Sequence, residues 1–249
     1  MLAQLDFFNS LLLVLAAFGI GFSKSGFQGV GMFHVIIFAF IFGARDATGV
    51  LLPLLIVGDV CAIVYFGKQA QWNHIQRLLP PTVVGVVVGW LMMKQLPEST
   101  FRPLVGSIIL TLIGIQIARM WRPDWFEKTP HQKWFAASLG ILVGITTMLA
   151  NAAGPVMALY LLAVSLPKWE LVGTSAWFFL VINVFKVPFS YNMGLINFET
   201  LAINAMFAPA VLPGMWLGRW LIHRISQRVF DSLLLGLTCV FALRLMGLF

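Results

Sequence analysis

Of the 249 residues, 60% are hydrophobic and 10% charged, against roughly 45–50% and about 25% in an ordinary soluble domain, so water is not the main solvent of this chain. The net charge of +7 does not point to nucleic acid, because the basic residues punctuate apolar runs singly or in short loops and form no basic stripe. Walker, H-E-x-x-H, C-x-x-C and G-x-S-x-G patterns are absent, which excludes ATP hydrolysis by this chain and implies no cofactor, no metal and no enzymatic centre of those kinds.

A full crossing of a ~30 Å hydrocarbon core needs ~20 apolar residues, and that length sorts the runs in chain order. Phe7–Phe22 is short; it lacks the basic leader of a signal peptide and is kept as structure. After the break Ser23-Lys24-Ser25-Gly26-Phe27-Gln28-Gly29-Val30-Gly31 comes the short Met32–Phe42, then near-full runs at Ala47–Gly67, Ile75–Leu96 and Pro103–Trp121. Past a polar loop the pattern recurs. Trp134–Leu149 is short, Ala150-Asn151-Ala152-Ala153-Gly154-Pro155 is the break, Val156–Leu166 is short, and Leu171–Met193, Leu201–Ile222 and Phe230–Leu248 are near full length. Cys61 and Cys239 both fall inside apolar runs, as small core residues.

The halves also match in register. A shift of 126 positions lays Ala47-Thr48-Gly49 on Gly173-Thr174-Ser175 and Tyr65 on Tyr191; after a slip of three residues, Gly85 and Gly89 fall on Gly214 and Gly218. Assigning loops alternately puts Lys68, Arg77, Arg119, Arg122, Lys128, Lys133, Lys168, Arg219, Arg224 and Arg228 on one side, and only Arg45, Lys94, Arg102 and Arg244 on the other. The richer side is cytoplasmic. Both termini then face outward and each half has an odd number of crossings, so the second half runs inverted. The expectation is an all-α membrane protein of two inverted-topology repeats, each a short broken helix pair plus three full transmembrane helices. It is one membrane domain, with repeat one at about 1–121, the cytoplasmic loop at about 122–133 and repeat two at about 134–249. Whether the short pairs are re-entrant hairpins or crossings stays open.

Corresponding segments broken by Gly or Pro are the best sequence pointer to a transporter's central site. Gly29 and Gly31 open the second short helix of the first half, and Gly154 with Pro155 opens that of the second. Their N-termini favour an anion; the plainer role of small residues is close helix packing. Lys24 lies in the first break with Gln28 four residues on. A charge at membrane depth costs at least ~2.5–3.5 kcal/mol on insertion scales, so it is rarely kept without a partner or ligand unless it snorkels. Lys186, with Asn183 three residues before it and Pro188 just after, is too deep to snorkel easily. Asp59 lies mid-run and maps onto Phe185, so the repeat places it against Lys186, as a structural ion pair or in ion coupling. Asn151, Thr174, Ser175 and Tyr191 are further polar candidates, each more often a helix–helix partner than a ligand. His34 reads as hydrogen-bonded core, Arg45-Asp46 as a solvated loop pair, and Trp72, Trp121, Trp125, Trp134 and Trp169 as an interfacial belt.

Gly21 through Gly31, Thr48-Gly49-Val50-Leu51-Leu52-Pro53 with Gly58-Asp59 and Tyr65, and Gly154-Pro155, Tyr160-Leu161, Gly173-Thr174-Ser175 and Asn183, Lys186, Tyr191 together resemble the repeated signatures of the sulfite exporter TauE/SafE family over essentially the whole chain. His34 departs from it, standing where many members have a proline. The resemblance implies export of sulfite or a small organosulfonate across the cell inner membrane, driven by an ion gradient. The expected partners are a small anionic substrate, a coupling ion (proton or sodium) and membrane lipids, with a homodimer as an open assembly and no nucleic acid. An intramembrane enzyme acting on a lipid-linked substrate and an accessory membrane subunit are the competing readings.

Overall fold

Inside a bilayer the backbone has no water to bond, and a helix satisfies it locally; every element among the described residues is accordingly helical. The computed structural model describes residues 5–27, 31–121, 133–164 and 166–221, with residues 236, 239, 240 and 243 beyond them. The helices are α1 (Phe7–Lys24), α2 (Gly31–Phe42), α3 (Ala44–Phe66), α4 (Trp72–Gln95), α5 (Glu98–Trp121), α6 (Lys133–Ala150), α7 (Gly154–Ala163), α8 (Lys168–Asn192), α9 (Phe198–Phe207) and α10 (Val211–Leu221). A 3-10 turn at Ala208–Ala210, held by Pro209, joins α9 to α10. Six candidate spans result: α1, α3, α4, α5, α8 and the α9–α10 pair. Helix α2, with 12 residues, and α7, with 10, are too short to cross. The Trp125 position, the proposed cytoplasmic loop and nearly all of the expected Phe230–Leu248 span lie outside the described residues.

The helix ends follow from local chemistry. Asp6 caps α1 by accepting from the Asn9 N–H at 2.7 Å, and Asn197 caps α9 in a reciprocal box with Thr200, each pairing an otherwise orphan donor. A single residue, Gly43 at φ 88°, turns α2 into α3. Trp72, Trp121 and Trp134 are exposed near helix ends, where an indole suits the membrane interface. Arg45 corrects the loop-pair reading. It lies in the first turn of α3, donates to the Leu96 carbonyl, faces Glu98 at 3.8 Å and covers the Phe101 ring.

Packing pairs helices far apart in sequence. α4 lies along α6, α1 along α10, and α3 against α8 at the centre. Glycines set these approaches, because lipid supplies no hydrophobic drive between helices and contact must come from backbone closeness. A Cβ on Gly144 would come within 2.2 Å of the Thr82 carbonyl oxygen and one on Gly85 within 2.2 Å of that of Ile141; on the other pair, a Cβ on Gly214 would reach the Phe18 carbonyl oxygen at 2.0 Å. Gly144→Ala should therefore push α4 and α6 apart and destabilise the protein by about 1–3 kcal/mol. Thermal unfolding in detergent measures this, and an unchanged midpoint would show that the two helices part without loss.

Candidate functional site

Asn151 ends α6 in a left-handed conformation, φ 51°. Asparagine tolerates this better than most residues because its short amide bonds locally. The turn lets the chain double back: the Asn151 and Ala152 N–H groups close on the carbonyls of Thr147 and Thr146 at 3.0 and 3.4 Å, and α7 starts three residues later at Gly154. In the first half α1 ends at Lys24 and Ser25, and α2 starts at Gly31. Both breaks border one cavity of about 80 Å³, several times the ~10–15 Å³ that a single water needs. Gly31 and Gly154, the first residues of the two short helices, line it, as do Lys24, Asn151, Pro155 and Asn183. Gln28 and Gly29 lie outside the described residues.

A chain of buried polar side chains runs behind this wall. The Lys24 ammonium meets Asp59 Oδ1 at 2.5 Å and lies over the Phe179 ring, 4.5 Å from its centroid. Asn183 Nδ2 donates to Asp59 Oδ2 at 2.7 Å, while Asn183 Oδ1 accepts from Lys186 Nζ at 3.3 Å. Lys186 donates further to Thr147 Oγ1 at 3.1 Å and to Asn151 Oδ1 at 2.5 Å. Asn151 Nδ2 in turn donates to the Thr48 carbonyl of α3 at 2.8 Å. Lys24 keeps 13% of its side chain accessible, Asp59 none, and Lys186 is 1% accessible. Desolvating charges this fully is expensive, and hydrogen bonds must offset it. The three donors of Lys186 each find a neutral acceptor.

Two expectations change. Asp59 does not pair with Lys186 directly: the repeat equivalence brings them to one network, but Asn183 stands between them and Lys24 takes the ion pair. Thr174 and Tyr191 stand apart from the cavity. The Thr174 hydroxyl accepts from the Gln71 N–H at 2.9 Å, tying α8 to the start of α4, and Tyr191 is 70% exposed near the end of α8. Both are candidates as polar residues on the Lys186 helix, and a place along a helix gives depth but not the face presented. Thr147 is the residue that the sequence reading passed over. Its signal was present: it precedes Asn151 by four positions, so the two share a helix face, at the end of an apolar run. His34 also departs from expectation, since it is buried and its Nδ1 has no hydrogen-bond partner.

The arrangement brings Lys24 and two helix N-termini to one small cavity, with Asp59 and Lys186 in the hydrogen-bonded network behind its wall. Counted by formal charge, two lysines stand against one carboxylate among the described residues, and with the two helix N-termini this favours an anion there. Comparison with known proteins gives one result of substance: the family model described as sulfite exporter TauE/SafE matches residues 13–245. No curated protein and no solved structure matches the chain significantly.

Proposed function

The chain belongs to the sulfite exporter TauE/SafE family, a family of membrane transporters, and from that premise we propose that it is a secondary transporter exporting a small anion, sulfite or a small organosulfonate, across the cell inner membrane. The observation that carries the reading is the charge balance at the cavity: Lys24 and Lys186 against Asp59 alone. Lys24 lies on the wall and contacts the anion with the donors that Asp59 leaves free. Lys186 stays behind it and acts through Thr147 and Asn151, whose oxygens it polarises and which do line the space. Networks of this kind strengthen one another where the dielectric is low. Asp59 is the group on which a coupling proton or sodium ion would act. The enzyme reading has no support at Asp59, which is engaged by Lys24 and Asn183 and offers no free base.

We further read the fold as two inverted repeats. Reciprocal packing supports it: Gly85 approaches Gly144 and Gly89 approaches Met148, while Gly214 approaches Phe18 and Gly218 approaches the Phe22 carbonyl. Positions 18 and 22 lie 126 residues before 144 and 148, the same shift that aligns the halves. Alternating access then follows from rocking one repeat against the other around the cavity.

Sulfite efflux from proteoliposomes tests the function. Protein that passes no anion at all would sink it. Gly31→Leu gives a sharper result, because a Cβ there meets nothing within 4 Å while Gly31 lines the cavity. It should leave the unfolding midpoint unchanged and cut flux at least ~10-fold, equivalent to about 1.4 kcal/mol. Flux at the wild-type level would place the pathway elsewhere.

A further inference from the structure

His34 on α2 and Ser175 on α8 line the same cavity as Lys24, and neither is used by the charge network. Buried polar groups in folded proteins are almost always bonded, and each exception needs a reason. The Nδ1 of His34 and the Oγ of Ser175 are buried without a partner. This is not the habit of hydroxyls in this protein. Thr82, Thr146, Thr48, Ser23 and Ser25 all donate back to a carbonyl of their own helix, at 2.7–2.9 Å. Ser175 does not, and its neighbour Thr174 is already occupied by the Gln71 N–H. The apolar part of the wall, Leu55, Val172, Ala176 and Phe179, has no side-chain acceptor to offer.

Resting on the anion-transport reading, we infer that His34 and Ser175 are specificity-determining residues: they donate hydrogen bonds to peripheral oxygens of the anion that Lys24 holds, and so select a compact oxyanion over a halide. The geometry of the ligand decides this. A halide offers one centre that every donor must share, whereas three or four oxygens around one central atom let the Lys24 ammonium and the donors on α2 and α8 each meet an acceptor of their own. Each donor is neutral, so it adds discrimination without altering the charge balance.

The test is binding to the purified full chain in detergent, by calorimetry, with sodium sulfite, sodium sulfate and sodium chloride as probes. Ser175→Ala and His34→Phe should each weaken sulfite binding about 5- to 10-fold and change chloride binding less than about twofold, the range expected of a lost neutral hydrogen bond. His34→Gln keeps a donor and should recover much of the sulfite affinity; with Ser175→Ala it carries the test if the phenylalanine variant does not fold. Sulfite affinity unchanged in Ser175→Ala and equal in all His34 variants would overturn the assignment, as would parallel losses for sulfite and chloride. Wild-type protein that binds none of the three anions would overturn the transport reading together with this one. Wild-type binding with indifferent variants would overturn this one alone.

Discussion

Lys24→Met should destabilise the protein by about 3–5 kcal/mol, the range observed when one partner of a buried ion pair is removed. Asp59 is fully inaccessible and sits 2.5 Å from the Lys24 ammonium; without it the carboxylate keeps only the Asn183 amide among its described hydrogen-bond partners. Removing both charges, as Lys24→Met with Asp59→Leu, should return most of the lost stability, since two apolar side chains replace a desolvated pair. The double variant should nevertheless fail to bind sulfite. A double-mutant cycle on the unfolding free energy measures the coupling. Additive losses would mean that the two groups are independent.

The second large effect concerns binding. Lys186→Gln should lower sulfite affinity about 10- to 100-fold, the worth of a charge-assisted contribution of roughly 1.5–3 kcal/mol, while the unfolding midpoint falls only modestly. Glutamine can still donate to Thr147 or Asn151, so part of the hydrogen bonding survives. What it removes is the positive charge that no carboxylate matches among the described residues, and with it the net attraction for an anion. Titration with sulfite in detergent would show the change. Equal affinity in wild type and variant would assign Lys186 to structure and leave Lys24 as the one lysine acting on the anion.

Hydropathy length and small-residue breaks made most of the fold legible, because both report the bilayer directly. Among the described residues the expected runs recur as helices with ends displaced by a few residues, Leu201–Ile222 as two helices joined by a 3-10 turn, and the two breaks at 23–31 and 150–155 do separate helices. Lys24, Asn183 and Lys186 were legible for the same reason: a polar group at membrane depth is costly, so each asks for a partner. The partners themselves were not. Asp59 was matched to Lys186 by position in the repeat, but which lysine reaches a carboxylate depends on rotamer and on helix rotation, and neither leaves a mark in one sequence. Tyr191 stands apart from the cavity for a related reason, since a residue on the right helix can still point away from the site. Ser175 reads as an ordinary helix–helix partner and His34 as hydrogen-bonded core, and only their unbonded atoms set them apart.

The pairing of α1 with α10 has a consequence for biogenesis. At about 5–20 residues per second, α1 leaves the ribosome roughly 10–40 s before α10 is made, and for that interval its glycine-lined groove at Gly21 has no protein to close on. Insertion of the first half therefore yields an incomplete bundle, and a chain that stops before Val211 presents that open groove permanently to lipid, chaperones and membrane proteases. Quality control would see such a fragment as unfinished, however well its individual helices are inserted. Conversely, the two halves made as separate polypeptides carry complementary faces, and each is the assembly factor that the other lacks.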